Sequence, residues 1–208
     1  MELDNKIVLI GYSGHAFTLV DTAIESGFHI IGYCEKKIKS FNPYDLNYIG
    51  YEKSKIFEGW EMCNNYIIGI GDNKIREKVS KIIKKNNKKI ISIISKTSSI
   101  SKTVIIGDGT FINRNVSINS FVKIGENCIL NTGCIIEHDC KIGNSSHIGP
   151  GAVLTGNVKI GDRVFVGANS VIKNDVQIGN DVIIGAGSVV INDVKNNSII
   201  YGNPAKLK

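Results

Sequence analysis

A small α/β domain followed by a parallel β-helix is the fold class that three features of this sequence predict. Residues 94–195 repeat with a period of six and never slip, giving 17 blocks that each open on Ile, Leu or Val. The fifth place of every block is small or β-branched, as at Val104, Thr110, Val116, Cys128, Ala152 and Ser170. Ahead of that stretch, short apolar runs alternate with segments of helical spacing. Self-similarity at six residues is the signature of stacked β-coils. Strand–helix alternation is that of a small parallel sheet of Rossmann type.

The first domain is read as residues 1–93. The apolar run 6–10 is a buried strand. The turn Gly11-Tyr-Ser-Gly-His15 leads into a helix over 16–26, stopped by Gly27. Further strands are expected at 28–33, 65–70 and 89–93. Residues 35–63 are polar and irregular, and no element is predicted there. Residues 74–89 carry Lys74, Arg76, Lys78, Lys81, Lys84, Lys85, Lys88 and Lys89, and account for much of the net charge of +6. Ile75, Val79, Ile82 and Ile83 recur among them at helical spacing, which predicts a helix with a solvated basic face. No aromatic base reader interleaves with the lysines, so nucleic acid is not an expected partner.

The second domain is read as residues 94–208, a β-helix with a short C-terminal tail. A flat strand of five to six residues at ~3.3 Å each makes one side of a triangle, and three blocks close one coil. The first residue of each block points to the axis, and the slim fifth residue fits beside it near a corner. Coils stack at ~4.8 Å, so the prism is roughly 25 Å tall. Gly, Asn and Asp crowd the turns, where unusual φ is needed.

The 42% apolar fraction is ordinary for a globular chain. No apolar run approaches the ~18 residues of a membrane span, so no membrane partner is expected. The first ten residues lead with acids and run into a strand, unlike a secretory signal, and a cytoplasmic location is expected. Of the five cysteines, Cys128, Cys134 and Cys140 are six apart and invite a metal reading. All three are fifth-place residues, however, and as small buried hydrophobes they predict no metal.

Three turns of the first domain lie at the carboxyl ends of its strands: Ser13-Gly14-His15, Glu35-Lys36 and Gly71-Asp72-Asn73. That edge forms the ligand crevice of open α/β sheets. The first turn departs from G-x-G-x-x-G, which demotes a dinucleotide, and a shorter nucleotide such as a nucleotide-sugar diphosphate fits as well. The repeat holds two histidines, His138 and His147. His138 occupies an outward third place with Asp139 beside it at a corner, an arrangement suited to a general base with a supporting carboxylate. His147 is about half a coil further on. The two can share a site only if a second copy of the prism packs alongside.

Gly-x-Ser-Gly-His, then Ile-Glu-His-Asp-Cys, then Ser-His-Ile-Gly, then Gly-Asn-Pro-Ala-Lys together resemble the NeuD/PglD-type sugar O/N-acetyltransferases. The resemblance implies a left-handed prism, against the usual right-handed crossover. It also implies a homotrimer with acetyl-coenzyme A in the groove between prisms. In its terms His138 is the general base and Asp139 raises its basicity. His147, Gly156, Ala168 and Ala186 contact the coenzyme. Ser13, Gly14, His15, Glu35, Lys36, Gly71 and Asn73 hold the nucleotide-sugar. The implied reaction is acetyl transfer to the 4-amino group of a UDP-, dTDP- or GDP-linked 4-amino-4,6-dideoxy sugar, with no metal. The sequence leaves open a sialic-acid-type O-acetyltransferase and a non-catalytic trimeric scaffold.

Overall fold

The computed structural model describes residues 5–208, so the sequence reading of residues 1–4 lies outside it. The first domain is a five-stranded parallel sheet in the order β3-β2-β1-β4-β5. Its elements are β1 (Lys6–Ile10), α1 (Gly14–Glu25), β2 (His29–Cys34), β3 (Tyr48–Gly50), α2 (Gly59–Met62), β4 (Asn65–Ile68), α3 (Asn73–Lys85) and β5 (Lys89–Ile90). β1 is central and buried from Ile7 to Ile10, as its unbroken apolar run requires. At its end Gly11 takes φ +87°, and a Cβ there would lie 2.6 Å from Ile70. Only glycine fits that close approach of the turns following β1 and β4. α3 starts on Asp72, whose side chain accepts the Ile75 N–H at 2.8 Å.

β3 and α2 fall inside 35–63, where the sequence reading predicts nothing. β3 is a three-residue edge strand beside β2, too short to show an alternation of its own.

Residues from Ile93 onward form a left-handed parallel β-helix with three faces. The first face stacks six strands from Ser99–Ile100 to Val189–Val190, and the second stacks five from Ile105–Ile106 to Gln177–Ile178. The third runs from Ile93–Ile94 to Ile183–Ile184 and is closed by the tail strands Ile199–Gly202 and Ala205–Leu207. Partners on one face are eighteen residues apart, as in Ile118↔Ile136↔Leu154↔Ile172↔Val190. The first-place residues from Ile112 to Val190 fill the axis together with the slim fifth-place ones, including Cys128, Cys134 and Cys140. Burial pushes the thiols of Cys134 and Cys140 up to about 12 and about 11, which makes them poor nucleophiles. Ile94 is the exception to the inward rule. It lies exposed at the open lower end, while Ile93 packs into the first domain.

The corners follow a strict rule of their own. Every sixth residue from Gly109 to Gly187 has φ between +54° and +71°. Gly, Asn and Asp fill most of these places, and Ser145, Arg163 and Phe121 are the departures.

The outward residues give each face a separate surroundings. On the third face Ile93, Phe111 and Ile129 are buried against Tyr12, Ala16 and Leu19 of the first domain. The second face exposes Lys123, Lys141 and Lys159 in register. The first face presents Ile135, Val153, Val171 and Val189 in register.

The joint between the domains centres on Arg76, which is 1% exposed. Its guanidinium donates to the carbonyls of Asn127, Ser145, Ile70 and Gly71 and to Asn73 Oδ1, all between 2.7 and 3.1 Å. Among the described residues it makes no ion pair, and burial lowers its pKa to about 10 against a weaker opposing pull from Asp72. The predicted solvated face of α3 is thus corrected at this residue: Arg76 shares the buried stripe of Val79, Ser80 and Ile83. Around it Lys74, Lys84 and Glu77 reach Asp181, Glu126 and Arg163 of the prism. No described helix is long and apolar enough to cross a membrane.

Candidate active site

Three places hold the residues singled out in the sequence. The first is the corner between the first and second faces. The strand Ile135–Ile136 ends there, and the chain turns through Glu137, His138 and Asp139. Asp139 takes the positive φ of its place, +62°, and its N–H donates to Ser120 O at 3.0 Å. The His138 carbonyl accepts the Asn157 N–H at 2.8 Å. The corner backbone is therefore tied to the coils on either side. Against it, His138 Nδ1 lies 2.9 Å from Asp139 Oδ2, with the side chains 62% and 56% exposed. When Nδ1–H donates to the carboxylate, Nε2 carries the free lone pair. The ring lies over Gly156 of the next coil: a Cβ at Gly156 would be 2.7 Å from both Cε1 and Nε2.

The second place is a crevice of about 230 Å³ at the carboxyl edge of the first-domain sheet. Ser13, Glu35, Lys36 and Gly71 line it, joined by Tyr51, Glu52 and Lys53 from the segment after β3. Gly14 begins α1 beside it. Glu35 is committed to the local framework. Its Oε1 accepts the Tyr12 N–H at 3.1 Å and lies 3.4 Å from Lys39 Nζ, and its Oε2 accepts the Lys36 N–H at 3.2 Å.

The third place is a cleft of about 610 Å³ between the start of α3 and the upper third face. Gly71, Asn73, His147, Phe165, Arg163 and Asp181 are among its walls. Gly71 lines both the crevice and the cleft, so the two cavities adjoin. Asn73 reaches across to the carbonyls of Arg163 and Val164 at 3.1 and 3.0 Å. His147 is 8% exposed, packs edge-on to Phe165 with centroids 5.1 Å apart, and faces His15 at 6.0 Å. His147 Nδ1 and His15 Nε2 are buried without a hydrogen-bond partner. Burial first, then the Arg76 charge, lowers His147 to about 3 and His15 to about 4; His15 adds to the effect on His147, against a loose approach of the Gly71 backbone. Both rings are neutral near pH 7.

Within one chain His138 and His147 do not meet. His138 stands on an open corner, and His147 faces inward to the first domain. Ala168 and Ala186 stack one coil apart, linked by Gly187 N–H to Ala168 O at 2.8 Å, on the corner between the third and first faces. The first face therefore separates the His138–Gly156 corner from the Ala168–Ala186 corner. His15, in the Ser13 turn, points to the prism rather than into the crevice. Sequence reasoning missed Arg76, Glu52 and Phe165. Only Arg76 had a signal, its place three residues before Val79 on an apolar stripe. Among the described residues no group of three or more His, Cys, Asp or Glu side chains is placed to hold a metal.

Comparison with known proteins fits this anatomy. The PglD N-terminal domain family matches residues 6–83, and the bacterial transferase hexapeptide (six repeats) family matches 103–138, 121–156 and 157–192. A histidine-to-asparagine variant of perosamine N-acetyltransferase from Caulobacter crescentus, solved with CoA and GDP-perosamine, is 28% identical. It superposes with a TM-score of 0.93 over 98% of this chain and 96% of that one. The acetyltransferase domain of PglB from Neisseria gonorrhoeae shares the fold, at 24% identity and a TM-score of 0.90 over 98% of this chain and 100% of that one. So does WeeI from Acinetobacter baumannii AYE, at 23% and 0.86 over 97% and 99%. No curated protein gives a significant sequence match.

Proposed function

Because this chain belongs to the NeuD/PglD-type acyltransferases of the hexapeptide superfamily, we propose that it transfers acetyl from acetyl-coenzyme A to the 4-amino group of a nucleotide-linked 4-amino-4,6-dideoxy sugar. The observation that carries the reading is the His138–Asp139 pair on an open prism corner, with Gly156 leaving room for the ring. The likeness to an N-acetyltransferase solved with CoA and a nucleotide-linked sugar supports the substrates.

The chemistry follows. His138 Nε2 takes a proton from the sugar amine as its nitrogen attacks the thioester carbonyl carbon. Asp139 stabilises the imidazolium that forms. The C–S bond then breaks, and the imidazolium returns the proton to the departing thiolate. No covalent enzyme intermediate is needed. General-base help of this kind contributes roughly 10²–10⁴-fold. The nucleotide sits in the crevice at Ser13, Gly14, Glu35 and Lys36. The sugar passes Gly71 toward the cleft at Asn73.

A second copy completes the site in this reading. The aliphatic first face, with Ile135, Val153, Val171 and Val189 unpaired outward, is suited to burial in a homotrimer. The His138 corner of one protomer would then meet the cleft of its neighbour, and Gly156, Ala168, Ala186 and His147 would line the coenzyme groove. Thiol release from acetyl-coenzyme A with a panel of UDP-, dTDP- and GDP-linked 4-amino sugars tests the reading. Turnover of at least one is expected. Turnover of free sialic acid and of none of the panel would overturn it in favour of O-acetylation. Full activity in a strictly monomeric protein would remove the shared site.

A further inference from the structure

We propose that Glu52 reads the base of the bound nucleotide and selects guanine over uracil and thymine. The proposal rests on the crevice being the nucleotide site.

Glu52 stands on the turn just after the edge strand β3, and its side chain is only 5% exposed although it lines the crevice. Lys53 Nζ lies 4.0 Å away, beyond hydrogen-bond reach, and among the described residues only the backbone N–H of Glu52 itself serves the carboxylate. The contrast with Glu35 across the same crevice is direct. Glu35 spends its oxygens on two backbone N–H groups and Lys39. Glu52 keeps its acceptors for something that is not protein. Burying a carboxylate without donors is expensive, so such a group is expected where a ligand brings the donors.

The identity of those donors follows from the bases. A carboxylate is an acceptor with two oxygens side by side. Guanine offers N1–H and the N2 amino group side by side on one edge, and so makes two parallel charge-assisted bonds to one carboxylate. Uracil and thymine offer one N3–H flanked by two carbonyl oxygens, which a carboxylate repels. Ile10, Ile70 and Val79 supply an apolar lining for the ring, while Lys36 and Lys53 supply positive charge at the rim for phosphate.

Titration calorimetry of the full chain with GDP, UDP and dTDP tests this, alongside Glu52→Gln and Glu52→Ala. GDP is expected to bind at least about tenfold tighter than UDP or dTDP, the discrimination of one bidentate pair. Glu52→Gln is expected to remove about that factor for GDP while leaving UDP unchanged, with an unaltered melting temperature as the check on folding. Equal affinities, or a preference for UDP or dTDP, overturn guanine selection while leaving the nucleotide crevice standing. A GDP preference that survives both substitutions removes Glu52 as the reader. No binding of any nucleotide overturns the crevice reading, and this proposal with it.

Discussion

Two imidazoles nine residues apart on one solenoid live in opposite surroundings. His138 stands in solvent on a corner, hydrogen-bonded to a carboxylate, with glycine clearing space for its ring. His147 is nearly covered by the first domain, has an unpartnered ring nitrogen, and is held neutral by burial and by Arg76. Both occupy outward places of the repeat. The difference comes from what covers each face. The corner of His138 is bare, while the face of His147 receives α1 and α3 of the first domain. The repeat fixes where a side chain points, and the docked domain decides what that side chain can do.

The comparison can be broken at several points. The largest expected effect is on chemistry. His138→Ala should lower turnover in a thiol-release assay by about 10²–10⁴-fold, and an exposed site implies that the melting temperature barely moves. Retained turnover would sink His138 as the base. Arg76→Met should act the other way round. It leaves five acceptors at the joint without their donor, and should lower stability by on the order of 3 kcal/mol in denaturant unfolding.

Acid should find the buried rings first. The folded pKa values of His147 and His15, about 3 and about 4, lie below the ordinary 6.5. Below pH 6.5 the unfolded chain therefore binds protons that the folded chain refuses. Stability is complete above that pH and should fall by on the order of a few kcal/mol as pH drops from about 6.5 toward 4. Melting curves across that window check it, and His147→Gln should flatten the slope.

Gly156→Ala sharpens the contrast at the exposed ring. The backbone there tolerates alanine, and the clash is with the free end of a surface side chain. Activity should fall roughly 10- to 100-fold by displacing His138, with almost no loss of stability. The smallest effect is expected at Phe121, a bulky ring in the left-handed corner place one coil below Asp139 and 62% exposed. Phe121→Asn should raise stability by about 0.5–1 kcal/mol in thermal melts. A loss instead would show that a second copy covers the ring.

Much of this was legible in the chain. The period of six gave the coils, their axis residues and the outward place of His138, because each repeat obeys the same local sterics. The glycine turn and the alternation of strands gave the first sheet. β3 and Glu52 were not legible, since residues 35–63 carry no periodicity and an edge strand gains its form from its neighbour. His15 reads as part of a phosphate turn yet faces the prism. The burial of His147 depends on a contact between segments far apart in sequence. Arg76 was hidden by the lysines around it, although its apolar neighbours marked its side of the helix.

The joint at Arg76 also bears on how such a protein can change over time. Four of its five close acceptors are main-chain carbonyls, and the two that belong to the coils, those of Asn127 and Ser145, persist whatever side chain stands there. Side-chain drift in the coils thus leaves the socket intact as long as the rungs keep their spacing. The arginine ties the seat of the head domain to the spacing of the rungs, while the apolar contacts of Ile93, Phe111 and Ile129 and the ion pairs around it tie that seat to this particular ladder.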